Sequence, residues 1–173
     1  MKKSIIKLMP IGGQAENGKS MYCLEIDDNW FIIDAGYRFP EVDKLGVDVI
    51  IPNFDYLKDN KDKIKAIFIT HVHDDVMGAL PYLLQELNVP IYTTDLTADL
   101  IDQLLQRYMR HSHVSYKYKI KRVNMNATIK VAGVEVDFFP ITHSIPGSVG
   151  LAFLTDYGYI VYSSEFIIDF GAP

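Results

Sequence analysis

Short runs of alternating or continuous apolar residues open this chain, give way to helical spacing in its middle, and return in its last third. Ser4 to Met9, Met21 to Ile26 and Trp30 to Ile33 are rich in β-branched, aromatic and other apolar side chains, which predicts strands. Gly12 and Gly13 mark a turn after the first, and Asp27, Asp28 and Asn29 supply a hairpin turn between the other two. Val47 to Ile51 is another extended run, followed by a short helix behind a cap at Asn53 and by the apolar strand Ala66 to Ile69. Met77 to Leu87 and Asp95 to Arg110 predict helices, the second with Leu96, Leu100, Leu104 and Leu105 at helical spacing, and Pro90 to Thr93 is a short strand between them. Strands are predicted again at Ser115 to Val123, Ala127 to Val131, Val134 to Phe139, Val149 to Leu154 and Tyr159 to Ser163, with turns at Gly133 and at Asp156 to Gly158. Helices grouped in the middle and an antiparallel meander at the end favour an α+β or layered sandwich over a doubly wound sheet.

The chain has 173 residues, 49% of them hydrophobic, which suits one domain, or part of one, with a proper core. No repeat or low-complexity tract divides it. Cys23 is the single cysteine, so an internal disulfide is excluded, a reducing compartment is favoured, and its apolar neighbours predict a buried thiol. Met1, Lys2 and Lys3 resemble the start of a signal peptide, but the following apolar stretch, Ile5 to Ile11, is short, carries Lys7 and Pro10, and leads to no cleavage site. No run approaches the roughly 18 apolar residues of a membrane span, so the expectation is a cytoplasmic protein with no membrane association.

The net charge of -5 argues against nucleic-acid binding by the whole surface. Residues 101 to 122 are an exception, with six cations (Arg107, Arg110, Lys117, Lys119, Lys121 and Arg122) and one carboxylate, Asp102. In a strand over Ser115 to Val123, the lysines at 117, 119 and 121 share one face while Tyr116, Tyr118 and Ile120 share the other. That pattern predicts a half-buried strand with a solvated lysine face; the alternative is a stripe for an RNA backbone.

Two motifs compete for the chemistry. Gly13 to Ser20 matches the phosphate-binding loop G-x-x-x-x-G-K-[ST], and Phe31 to Asp34 resembles the apolar strand that ends in a magnesium-binding aspartate. Such a loop must open a helix, whereas Met21 to Ile26 reads as a strand followed at once by a turn and another strand. Only ten residues separate Ser20 from Phe31, fewer than the dozen or so a parallel crossover needs, and Glu16 would place a carboxylate inside an anion cradle. The second motif is Thr70-His71-Val72-His73-Asp74-Asp75-Val76, directly after the strand Ala66 to Ile69. Two histidines at i and i+2 can aim both imidazoles at one cation, and Asp75 adds a carboxylate from the next turn. His143 and Glu165 stand at the ends of two further apolar runs, and imidazole with carboxylate suits Zn²⁺ or Mn²⁺. His111 and His113 form a second H-x-H, but they follow a helix among basic neighbours with no carboxylate near, and are read as surface residues.

At these residues the sequence resembles the metallo-β-lactamase superfamily, whose signature is H-x-H-x-D-H, and within it the ribonuclease J family. The resemblance runs over essentially the whole chain. It includes Gly12, Gly13, Glu16, Gly18, Lys19, Met21 and Tyr22; Asp34, Ala35 and Gly36; Phe39, Pro40 and Glu41 with Leu45 to Asp48 and Ile51, Pro52; Gly78 to Tyr82; Asn88 to Tyr92; and Thr142 to Pro146 with Ser148. It reassigns the phosphate-loop match to a strand-turn-strand of the family. The resemblance implies a four-layered αββα sandwich with two metal ions at the sheet edge, where a metal-bridging hydroxide attacks an RNA phosphodiester. By position, His71, His73 and His143 hold the first ion, Asp75 binds the second and is the candidate catalytic carboxylate, and Glu165 stands at the bridging carboxylate. Asp34 falls near the site in a structural place.

Departures from the family pattern are equally informative. Val76 stands where the signature has its last histidine, and an isopropyl group ligates nothing. Glu165 replaces an aspartate, Val72 a glycine, and Gly147 an acidic residue. The set resembles the degraded paralogue that accompanies an active ribonuclease J in some bacteria, which implies one ion or none and weak activity or none. Residues 1–173 would then be the N-terminal part of a metallo-β-lactamase domain, with the β-CASP insertion, remaining sandwich strands and C-terminal domain absent. The expected function is RNA processing or decay, as the partner of an active ribonuclease J paralogue or as a homo-oligomer. A residual one-metal ribonuclease and a small-molecule metallo-hydrolase remain as alternatives, and exposed apolar surface is expected on so short a piece.

Overall fold

The computed structural model describes residues 3–42 and 44–168. Met1 and Lys2 of the signal-peptide comparison, and the closing residues Phe170 to Pro173, lie outside them. Among the described residues, ten strands form two sheets. The first contains β1 (Ile6–Gly12), β2 (Met21–Ile26), β3 (Asn29–Ile33), β4 (Ile64–Phe68), β5 (Ile91–Thr93) and β6 (Ile120–Arg122), side by side in that order. β1, β2 and β3 are antiparallel, whereas β3 through β6 run parallel. The second sheet is an antiparallel meander of β7 (Thr128–Val131), β8 (Val134–Pro140), β9 (Val149–Thr155) and β10 (Gly158–Tyr162). Helices α1 (Asp55–Asp59), α2 (Asp74–Met77), α3 (Leu80–Glu86) and α4 (Asp95–Ser112) complete the main elements.

Two cores follow from the strands' alternation. Cys23, Trp30, Ile32, Ile67 and Ile91 point toward Leu57, Leu80, Leu83, Leu84, Ile101 and Leu105 of the helices. Their neighbours Leu24, Phe31, Ile33, Ala66 and Phe68 point the other way, against Val136, Phe138, Leu151 and Phe153 of the second sheet. The layers are therefore helix, sheet, sheet: three of the four layers of an αββα sandwich are described. On the second sheet's far side Leu154, Tyr159 and Val161 are exposed, so apolar surface is present there. Cys23 is buried, and burial pushes its thiol up to about 12. No helix among the described residues is long and apolar enough to cross a membrane.

Several elements differ from the sequence expectation. The helix expected over Met77 to Leu87 starts only at Leu80, as α3, and Met77 instead ends α2. The Ala79 amide donates to Ala35 O (2.7 Å) and the Ser20 amide donates to Asp75 O (2.9 Å), so tertiary bonds take the groups that a continuous helix would pair. Pro81, with no N–H to give, sits in the first turn of α3, where none is needed. The cap falls on Phe54, while Asn53 Oδ1 accepts from the Asp55 amide (2.9 Å). Val47 to Ile51 contributes only an isolated bridge between Arg38 and Ile50. Of the strand expected over Ser115 to Val123, only β6 is paired, yet Tyr116, Tyr118 and Ile120 are half-buried against the helix-side core and Lys117, Lys119 and Lys121 are exposed. The phosphate-loop match leads into β2, not a helix. Its Glu16 carboxylate accepts from the Gly13 amide (3.4 Å) and pairs with Lys19 (2.9 Å) and Arg38 (3.4 Å), so the chain supplies its own anion there.

A candidate metal centre

Parallel strands β3 to β6 all end at one edge of their sheet, and the functional side chains are collected there. β3 runs into Asp34, whose carboxylate is fully buried. β4 runs into Thr70 and His71. The Thr70 amide and hydroxyl both donate to Asp34 Oδ1 (3.0 Å each), which ties the two strand ends together. From the second sheet, the Val149 amide donates to Thr70 O (3.1 Å), and the Ile167 amide donates to Thr142 O (2.8 Å). These bonds bring the segments carrying His143 and Glu165 over the end of β4.

Three imidazole nitrogens converge as a result. His71 Nε2 lies 3.1 Å from His73 Nδ1, and His143 Nε2 lies 3.2 Å from the same atom. Glu165 Oε2 is 3.9 Å from His71 Nε2, and the four ligand atoms all lie within 4.8 Å of one another. A tetrahedral ion with Zn–N bonds of about 2.05 Å spaces its nitrogens about 3.3 Å apart, close to what is found. Hydrogen bonds alone fit less well, because one proton on His73 Nδ1 serves only one of its two neighbours. The donor set, three imidazoles and a carboxylate, is the chemistry of Zn²⁺ or Mn²⁺.

His71 is fully buried, and burial, followed by the His143 and His73 rings, pushes it down to about 3. It is therefore neutral over the physiological range, as ligation requires. Its Nδ1 lies 3.1 Å from Thr70 Oγ1, and a proton on Nδ1 leaves the Nε2 lone pair facing the other two rings. The Thr70 hydroxyl hands its own hydrogen to Asp34, and Tyr162 donates to Asp34 Oδ2 (2.8 Å). Burial pushes Asp34 up to about 7 against the pull of these bonds.

His71, His73, His143 and Glu165 thus meet, and Asp75 lies outside their group. It lines a cleft of about 440 Å³ together with Asn17, Gly18, Tyr37, Arg38, Phe39 and Asp74, to which none of the four contributes. Val76 is buried in the helix-side core. His111 and His113 are exposed at the end of α4, where His113 adopts the left-handed conformation that terminates the helix. Thr70, Tyr162 and Ser164, whose Oγ lies 2.9 Å from Thr70 Oγ1, were assigned no role from the sequence. Thr70 adjoins the H-x-H, so its hydroxyl was a readable signal; Tyr162 is 128 positions from Asp34, in a run that looks only apolar.

Residues 16–158 match the family model of the metallo-beta-lactamase superfamily. The chain belongs to that superfamily. It is 42% identical over 168 residues to ribonuclease J 2 of Staphylococcus saprophyticus and 41% identical to ribonuclease J 2 of Staphylococcus aureus, matching 97% of its own length in each case. The chain spans 29% of the length of these curated relatives. It is a ribonuclease J-like member of the superfamily. Among solved structures, a protein of unknown function from Enterococcus faecalis shares the fold at a TM-score of 0.71 and 19% identity, over 95% of this chain and 44% of that one. Human tRNase Z, short form, does so at 0.57 and 17%, over 92% of this chain and 68% of that one.

Proposed function

We propose that this chain is the N-terminal, metal-holding portion of a ribonuclease J-like protein of RNA processing and decay, with one ion site retained and the second degenerate. The convergence of His71, His73 and His143 on one point, with Val76 packed into the core where the signature has a histidine, carries this proposal. A bound Zn²⁺ or Mn²⁺ supplies a Lewis acid for a phosphoryl oxygen and a water acidified toward neutrality. His71, neutral and held by Thr70, keeps its Nε2 available to the ion. Glu165, 47% exposed at the rim, offers a carboxylate to the ion on the solvent side. Asp75, on α2 and lining a separate cleft, is the carboxylate that remains for a second ion.

An incomplete second site favours a partner role beside an active ribonuclease J paralogue, with weak turnover of its own. Metal content measured by mass spectrometry, together with cleavage of a 5′-monophosphorylated RNA, tests this. About one ion per chain, lost in His73→Ala, with little cleavage, is expected. Strong turnover abolished by His73→Ala would overturn the partner role and establish a one-ion nuclease. Absence of any bound ion would overturn the metal assignment.

A further inference from the structure

The basic segment after α4 has no role in the metal centre, yet it ends at the same sheet edge. β6 is the outermost strand of the first sheet and runs parallel to β5. Its C-terminal end therefore opens on the side where β4 delivers His71, two strand spacings away, or about 10 Å. Lys121 stands nearest that edge, with Lys119 and Lys117 behind it in the segment that leads into the strand. All three are exposed, and their half-buried neighbours Tyr116, Tyr118 and Ile120 anchor the segment on the helix-side core.

The charge of these lysines is not cancelled locally. None of the three forms an ion pair with a described residue, whereas Arg122 beside them is paired with Asp95 and Asp99. Asp102, the one carboxylate of residues 101–122, accepts from the Tyr118 hydroxyl (2.6 Å) and from the Gln106 amide (2.7 Å). Glu86, which lines a shallow pocket with Lys117, is held by Lys58 at 3.0 Å. Exposed Arg107 and Arg110 on α4 add to the same segment's positive charge. The alternation of exposed lysines with half-buried Tyr116, Tyr118 and Ile120 is that of extended backbone, which repeats a side-chain face about every 6.6 Å, so the three lysines span about 13 Å. A row of that kind matches an extended polyanion better than a compact anion, which would need its cations converging.

We infer that Lys117, Lys119 and Lys121 form a track for the sugar-phosphate backbone of single-stranded RNA leading to the metal-bearing edge. The inference rests on the ribonuclease J-like function proposed above. Row and cluster share one edge, and a chain with a net charge of -5 needs a local source of attraction for a polyanion. Lysine on an edge strand also serves to discourage strand-to-strand association, and that role alone would leave RNA affinity untouched.

The test is binding of a fluorescein-labelled 15-nucleotide single-stranded RNA across a potassium chloride series. It compares the protein, a Lys117→Gln/Lys119→Gln/Lys121→Gln variant, and a control of equal charge change, Lys3→Gln/Lys61→Gln/Lys130→Gln. Loss of three phosphate contacts lowers the slope of log affinity against log salt by about 2. That decrease, with weaker binding in the track variant and little change in the control, is expected. An unchanged slope and affinity in a track variant that is folded by circular dichroism would overturn the track while leaving the ribonuclease proposal standing. Equal losses in both variants would reduce it to net charge and overturn it as well. Failure of the unaltered protein to bind RNA at all would count against the function itself. Vesicles containing phosphatidylserine form a further arm; lysine-dependent vesicle binding with undiminished RNA binding would overturn the assignment to RNA.

Discussion

The Tyr162 hydroxyl donates to Oδ2 of Asp34 across 128 positions of sequence, at 2.8 Å. Through that carboxylate the last strand of the second sheet reaches the segment carrying His71, because Asp34 also holds the amide and hydroxyl of Thr70, and Thr70 lies against His71 Nδ1. Tyr162 is a positioning residue, acting on His71 only through Asp34 and Thr70. Tyr162→Phe removes the phenolic donor and keeps the ring against Tyr22. Zinc affinity is expected to fall about tenfold, as outer partners of metal ligands commonly show. Competition with a chromophoric chelator measures it, and an unchanged affinity in a folded variant would remove the network from the account of the site.

Val76 invites the complementary change. It lies on α2, one residue from Asp75, with its side chain in the helix-side core. Val76→His offers an imidazole at the signature position and loses an apolar contact, at a cost of about 1–3 kcal/mol. Bound metal is expected to rise from one ion toward two per chain, with cleavage of 5′-monophosphorylated RNA rising alongside it. If neither stoichiometry nor cleavage increases, Val76 is not the defect that separates this site from a two-ion one.

Much of this arrangement was legible in the chain. The H-x-H after an apolar run, and His143 and Glu165 at two later run ends, were enough to nominate the four residues that meet, because strand ends are where separate elements can pool side chains. The hairpin, the meander and the split of Tyr and Lys faces before β6 followed from period-two alternation. What escaped depends on long-range bonds. The break between α2 and α3 arises where Ala35 O captures the Ala79 amide, and no local signal at Met77 announces that partner. Asp75, read as a carboxylate from the next turn and, by resemblance, as a ligand of the second ion, lies outside the group of four, on a helix seated by the bond from the Ser20 amide to Asp75 O.

Two buried groups give the metal-free protein opposed pH dependences. Asp34, raised from its ordinary 3.8 to about 7 chiefly by burial, keeps a proton in the folded state that the unfolded chain releases. Its contribution is therefore present below about pH 4 and is lost as pH rises toward 7. His71, lowered from 6.5 to about 3 chiefly by burial, works in reverse: its contribution is present above about pH 6.5 and is lost on acidification. Asp34→Asn removes only the first. Between pH 4.5 and 6.5, with chelator present, the variant is expected to gain stability relative to the unaltered protein as pH rises. Urea midpoints at three pH values measure the difference, and a pH-independent difference would show that Asp34 titrates normally.

Gly36 is the position where the fold leaves least room beside the site. A Cβ built there would lie 1.5 Å from Asp75 O and 2.1 Å from Asp75 C, both backbone atoms that cannot turn aside. The contact is close because three backbone bonds clamp the segment: Gly36 N to Ser20 O (3.0 Å), Ala35 N to Val76 O (2.6 Å) and Tyr37 N to Asp74 O (3.1 Å). A methyl group at residue 36 must therefore push α2 away from the strand end, and His73, which caps α2, moves with it. Gly36→Ala is expected to cost about 3 kcal/mol of stability, at the upper end for overpacking a tight site. Because His73 carries the nitrogen that both other imidazoles approach, metal affinity should fall in parallel with stability. Gly46, with nothing within 4 Å of its Cβ position but a left-handed φ of 79°, is the contrast: Gly46→Ala carries backbone strain alone, of order 1 kcal/mol, and should leave metal binding intact. Equal effects of the two substitutions on zinc affinity would mean that the seating of α2 on residues 35–37 does not set the ligand geometry.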